Sequence, residues 1–298
     1  MVTDDAAALP PAWQRAAVRA GGLEVVGMPV AIDGHPVPGA GGEHDGVPPA
    51  LLLALAEGRP VTTSRPPPGR FQAAYRRLQD AGYEGIVSVH LSGELSGTVD
   101  SARLASRAVD VPVTVVDSRT VAMAQGFGVQ TAWHAAGTGA GPEEVAAAAR
   151  DGSRDDPLLL WVPSLETLRQ GGRIAPGPAV LGAVLKVEPL LTVDGGRLVA
   201  AERPRTPARA RARFSALVGK SLARSAHARP VLVVHHLGDE DGARELGAAV
   251  LRAHRPDAVL VVSPLPPVLA AHVGLGARAA VVQGPAAPPG PLPVRGRS

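Results

Sequence analysis

Residues 85–99 read GIVSVHLSGELSGTV: a short apolar run built on Ile86, Val87 and Val89, then two Ser-Gly steps and a threonine. The run is rich in β-branched residues, as a buried strand is, and SARLASRAV (101–109) beyond it has helical spacing. Glycine lets a backbone turn tightly or approach a ligand closely, and hydroxyls beside the free N–H groups of a helix start suit an anion. The same letters also fit a plain strand–turn–helix joint with a Ser/Thr cap. Both readings stand at this point.

The pattern repeats on either side. LEVVGMPVAI (23–32) and VPVTVVDS (111–118) read as strands, and LPPAWQRAAVRAGG, LLLALAEG, FQAAYRRLQDAG and TVAMAQGFGVQTAWHAAG read as helices. VTTSRPPPGR (61–70) reads as a loop rich in hydroxyls and proline. Strands alternating with helices of this length predict βαβ units and a mainly parallel sheet, whose ligands bind at the carboxyl ends of the strands. Three such ends carry Thr3–Asp4, Ser92 to Thr98, and Asp117–Ser118, which the pattern places along one sheet edge.

After DGSRDD (151–156) a second unit begins with PLLLWVPS. It runs through helices at LETLRQGGRI and AVLGAVL (179–185), strand EPLLTV, a turn at DGG and RLVAAE. The basic helix PARARARFSALVGKSLARS, strand PVLVVHHL, helix DGARELGAAVLRAH and strand DAVLVVSPL come next, and PPVLAAHVGLGARAAVVQ supplies a last helix, glycine loop and strand. The expected division is an N-terminal α/β domain over 1–157, a C-terminal α/β domain with a mixed sheet over 158–284, and a disordered Pro/Gly-rich tail over 285–298.

Composition narrows the chemistry. Of 298 residues, 45% are hydrophobic but only 3% aromatic, so the core must be built from Ala, Val and Leu, as in helices packed on a buried sheet. With no cysteine, disulfides, thiolate metal sites and cysteine nucleophiles drop out. A net charge of +3 is small for a dedicated nucleic-acid protein. Asp4 and Asp5 interrupt any signal peptide, and no apolar run approaches the roughly 18 residues of a membrane span. The chain reads as a cytoplasmic protein without stable membrane insertion.

Common motifs fail. GELSG puts its serine one place too late for a hydrolase elbow. Phe214 stands where a Walker loop ahead of Gly219–Lys220–Ser221 needs glycine. GFGVQT and GLGARA do not follow strands as dinucleotide loops do. Adjacent His235 and His236 point to opposite faces of a strand, so no metal site is expected there. RPRTPARARAR (203–213) reads as a solvated basic face, with Phe214 the aromatic nearby for base stacking.

TSRPPPGRF (63–71), HLSGELSGT (90–98), VTVVDS (113–118), LETLRQGGRI (165–174), EPLLTV (188–193) and AHVGLGA (271–277) stand in one order over nearly the whole chain. As an ordered set they resemble the DegV family of fatty-acid-binding proteins. The resemblance implies two α/β domains with a long-chain fatty acid between them, its carboxyl group held by Thr63 and Ser96, with Ser64, Ser92, Gly97 and Thr98 as secondary candidates. It implies a non-catalytic, lipid-binding subunit without cofactor or metal, placed in phospholipid metabolism. Such a subunit hands its acid to a separate ATP-dependent fatty acid kinase that makes an acyl phosphate, with Arg205, His272 and Arg173 supporting that exchange. The expected acid has about 14 to 18 carbons, and at about 0.8 kcal/mol per buried methylene a tail of about 16 carbons contributes roughly 12 kcal/mol at most before ordering costs. A hydrogen bond to the charged head adds about 1.5–3 kcal/mol, so the tail dominates affinity and the hydroxyls orient it.

The chain departs from the family pattern in places. The N-terminal D-S-T reads Asp4–Asp5–Ala6, which puts a carboxylate near the expected site; the paired serines read Ser92–Gly93, and Arg65 follows Thr63–Ser64 where the family has glutamine. Only Met1 and Val2 precede Thr3, so the first strand reads as clipped, with room for a start further upstream. The alternatives are an enzyme acting on a small acyl or phosphorylated substrate in the same cleft, and an interaction module using the 203–213 basic stretch.

Overall fold

The computed structural model describes residues 1–41, 46–154, 157–174, 188–284 and 292. The helix expected at 179–185 and the tail beyond 284, Leu292 apart, lie outside the described residues. In the first half, β1 (Val2–Asp4) leads through a 3-10 turn (Asp5–Ala7) into α1 (Pro11–Ala20) and β2 (Glu24–Val26). Then come β3 (Val30–Ile32), β4 (His35–Pro36), α2 (Pro49–Ala56), β5 (Val61–Thr63) and α3 (Pro68–Asp80). The quoted stretch forms β6 (Ile86–His90) and opens α4 (Thr98–Ser106), ahead of β7 (Val113–Asp117), α5 (Met123–Gly137) and α6 (Pro142–Gly152).

Strands β2, β1, β6 and β7 form one parallel sheet in that order. The carboxyl ends of β1, β6 and β7 therefore lie side by side, which brings Asp4, His90 and Asp117 to one edge. The apolar stretch 23–32, expected as one strand, is two strands in different sheets. The Met28 N–H goes to the Asp5 carboxylate and Pro29 has no N–H, so the ladder with β1 cannot continue past Val26. β3 instead pairs antiparallel with β4 and with β5, which lies inside the segment expected as a loop. A three-residue strand running into prolines carries too short a pattern to read.

The second half contains β8 (Leu159–Trp161), α7 (Glu166–Gln170), β9 (Leu190–Asp194), β10 (Arg197–Glu202) and α8 (Pro207–Arg224). It closes with β11 (Val231–His236), α9 (Glu240–His254), β12 (Val259–Pro264), α10 (Pro267–Val273) and β13 (Arg278–Gln283). Among the described residues its sheet runs β10-β9-β8-β13-β11-β12, with the β11–β12 pair parallel and the other strand pairs antiparallel. Alternate residues of these strands face opposite ways. Leu232 and Val234 pack under α8 and α9 with Phe214 and Leu246, while Val233 and Ala279 face the first half.

That second face shares one apolar cluster with Leu91, Met123 and Phe127, so the two α/β halves are joined by a common core. α5 is buried along most of its length. A Cβ at Gly128 would stand 2.6 Å from the Ala149 carbonyl oxygen, so the GFG step on α5 serves close helix packing. The basic stretch lies on the outer face of α8, with Arg213 on Glu202 and Arg211 on Glu245. Phe214 is buried against Trp161, ring centroids 6.0 Å apart, and is not available for stacking.

Candidate functional site

Between the halves lies a cavity of about 680 Å³, open mouth included. Its walls are almost wholly apolar: Leu160, Leu198 and Ala279 from the six-stranded sheet, Leu168 from α7, and Leu91 and Val121 from the first half. Polar side chains enter as Thr63, Ser64, Ser96, Arg173 and His272. Five residues that the sequence reading singled out thus meet at one site, from positions up to 209 apart in the chain.

Thr63, the last residue of β5, places Oγ1 2.8 Å from Nε2 of His272 on α10. Burial, and secondarily the Arg173 charge, pushes the His272 imidazole down from 6.5 to about 4. The ring is neutral at pH 7. With its proton on Nε2 it donates to Thr63, which frees the threonine O–H to donate to an anion. Ser96 Oγ lies 2.8 Å from Thr98 Oγ1 at the start of α4; with Thr98 as the donor, the Ser96 O–H is free in the same way. Thr98 is fully buried behind it, and Gly97 carries the Arg65 side chain against its backbone. Arg173 donates to the carbonyls of Leu95 and Gly171, which among the described residues use two of the five N–H donors of its guanidinium. Among the described lining residues it is the formally charged one at pH 7.

A neutral buried histidine beside a threonine hydroxyl has the outline of a base and nucleophile. A base at about 4 is weak, and the cation beside it disfavours taking a proton. The pair suits donation to an anion better than activation of Thr63. It also sets a stability dependence. The folded pKa of His272 is below the unfolded one, so its contribution is complete above about 6.5 and is lost as pH falls towards about 4. Thermal melts between those limits should fall less steeply for His272→Gln than for the parent; parallel profiles would remove the assignment.

The mouth is stapled across the halves. Ser92, buried, donates to the Gly196 carbonyl at 2.7 Å, and the turn between β9 and β10 must approach closely: a Cβ at Gly196 would stand 2.5 Å from Ser92 Oγ. Glu94 pairs with Arg197 at 2.6 Å and with Arg119 at 3.6 Å. Such exposed pairs are worth about 1 kcal/mol or less each, so they align the loop more than they stabilise it. Ser92 therefore positions the mouth, and it is not in the cavity wall. Gly93 is exposed, its N–H on the Asp117 carboxylate. Asp5 is turned to the backbone of Met28, itself a wall residue, and does not line the cavity. Arg205 is exposed ahead of α8 and outside the cavity wall.

Behind the loop lies a polar chain the sequence reading did not assemble. His90 Nδ1 is 2.9 Å from Asp4 Oδ2, its Nε2 is 2.6 Å from Ser88 Oγ, and Ser88 meets the Tyr75 hydroxyl at 2.9 Å. Asp4 also accepts from Leu91 N and Gln125 Nε2. The order Ser–His–Asp is that of a hydrolytic triad, yet all three side chains are fully buried and Phe71 packs edge-on to the imidazole. No substrate reaches them, and they anchor the end of β6 from which the loop departs. Met28, Leu168 and Leu198 escaped notice for a different reason: a cavity-wall residue and a core residue have the same letter.

The family model described as "Uncharacterised protein, DegV family" matches residues 1–284. A DegV domain-containing protein of Streptomyces coelicolor is 42% identical over 234 residues, covering 78% of this chain and 82% of that one. A solved DegV family protein from Thermus thermophilus, described for fatty acid binding, is 32% identical with a TM-score of 0.82, covering 94% of this chain and 97% of its own. DegV of Bacillus subtilis, described as a fatty acid binding protein, is 25% identical with a TM-score of 0.80 over 94% and 97%.

Proposed function

The chain belongs to the DegV family, and on that premise we propose that it carries a long-chain fatty acid, of about 14 to 18 carbons, tail in the apolar cavity and carboxylate at its mouth. The observation that carries this reading is the composition of the cavity: apolar walls, with three hydroxyls, an imidazole and one guanidinium as its polar side chains. Thr63 and Ser96 donate to the carboxylate and Arg173 balances its charge. In this reading the domains are 1–157 and 158–284, and each contributes one side of the head-group site.

In the same reading the acid is presented to a separate ATP-dependent kinase that forms an acyl phosphate, the protein itself being non-catalytic. Exposed Arg205 meets the added phosphate charge, and Arg173 and His272 hold the acid end at the mouth. The weak base at His272 supports a carrier over an enzyme working on small acyl or phosphorylated substrates.

Mass spectrometry of an organic extract from the purified protein should show a stoichiometric long-chain acid. Ser96→Ala and Thr63→Ala should each weaken rebinding by about tenfold, the worth of one hydrogen bond to a charged group. Arg205→Ala should retain the ligand. An empty protein that also refuses added fatty acid would end the carrier reading, and undiminished binding in both hydroxyl variants would end the head-group assignment.

A further inference from the structure

The acyl cavity runs along α10. Leu265, Val268, Leu269, His272 and Val273 all line it, and their helical spacing puts them on one side of α10 and of the residues leading into it. His272 meets Thr63 from the last turn of α10, whereas Leu265 stands just ahead of Pro267, where the helix begins. The 7 residues of α10 span roughly 10 Å at about 1.5 Å each. Leu265 therefore lies at the end of the cavity away from the head-group side chains.

Behind it is a second cavity of about 320 Å³, open mouth included. Among the described residues, Leu265 alone stands in the walls of both. The second space is lined from the first half by Ala8 and Leu9, and by the polar side chains of Asp5 and Gln14. Asp5 accepts from the N–H of Met28, and Met28 is a wall residue of the first cavity, so the two spaces lie back to back.

The partition between them is stiff. Leu265 sits between Pro264 and Pro266, whose rings fix φ on either side, and the proline that follows restricts Leu265 itself. Its N–H donates to the His236 carbonyl at 2.9 Å, and the residue is 1% exposed. The two sides also differ in chemistry. A methyl end pushed past Leu265 enters a space with a carboxylate and an amide in its wall, and hydrocarbon there takes water from polar groups without replacing its hydrogen bonds.

We propose that Leu265 fixes the longest acid this protein accepts: its side chain ends the acyl cavity and keeps the hydrocarbon tail out of the polar space at Asp5 and Gln14. The inference rests on the carrier reading above and names the residue that sets its chain-length selectivity.

The test is competition against a fluorescent fatty acid by straight-chain acids of about 12 to 22 carbons, on the parent, Leu265→Ala and Leu265→Val. In the parent, affinity should rise by about fourfold per methylene up to one length and drop beyond it. Leu265→Ala removes the isopropyl group and should raise that length by about three carbons, so that the first acid the parent rejects gains at least about tenfold. Leu265→Val should raise it by about one carbon, and it keeps the test standing should the alanine variant fail to fold. Acids shorter than the break should keep their parent affinity in both. A parent whose affinity climbs through the whole series, or a break that neither variant moves, would overturn the partition and leave the carrier intact. So would a loss spread equally over all lengths, or an equal shift from Leu198→Ala, which widens the same cavity from β10. No binding of any acid by the parent would overturn the carrier reading itself.

Discussion

His90→Ala should lose about 3–5 kcal/mol of folding stability, read as a lower denaturation midpoint at unchanged slope in urea. The imidazole is fully buried and joins Asp4 to Ser88 at 2.9 and 2.6 Å. Its removal opens a cavity against Phe71 and takes from Asp4 Oδ2 one of its two partners, leaving the Leu91 N–H. An apolar truncation at an ordinary core site forfeits packing alone, and here a buried carboxylate also loses a hydrogen bond. Because the same carboxylate holds Leu91 N, the LSGELSGT loop should loosen with it, seen as faster amide exchange at residues 91–97. A loss below about 1 kcal/mol would show that the chain from Asp4 to Tyr75 is not a stabilising unit.

Ala279→Phe should cost a long-chain acid about a hundredfold in affinity and leave a short one nearly untouched. Ala279 lies on β13, three strands from β10, with its side chain in the cavity wall. A benzyl ring there occupies the space of about four methylenes, and at about 0.8 kcal/mol each the forfeited burial is roughly 3 kcal/mol. An acid of about eight carbons, held near Thr63 and Ser96, does not reach the ring and should keep its affinity. Titration of the two acids against parent and variant separates the cases. Equal loss for both lengths would mean a disturbed protein, and no loss for either would place the tail elsewhere.

Much of this molecule is legible in its letters. Near-continuous apolar runs rich in β-branched residues, such as Ile86–Val89 and Leu232–Val234, place buried strands, and the helices between them predict the parallel order that brings Asp4, Ser92 and Asp117 to one edge. The hydroxyls, Arg173 and His272 were legible through the ordered motifs that resemble the DegV family; the letters by themselves fit a plain strand–turn–helix joint as well. The splitting of 23–32 was not, since it turns on where the Met28 N–H goes, and its partner Asp5 lies 23 residues away. Nor was the cavity: Leu160, Leu198 and Ala279 carry the same pattern whether a neighbour or empty space stands opposite.

His235 marks the boundary most sharply. From sequence it is a histidine at the end of an apolar strand, one of an adjacent pair facing opposite ways. Only the cross-strand register sets it beside Ala279 and Ser263, and only the packing leaves its Nε2 without a partner among the described residues. Local letters determined the elements, because strand and helix periodicity is a property of neighbours in the chain. The tertiary structure decided the site, because hydrogen bonds and empty volume belong to neighbours in space.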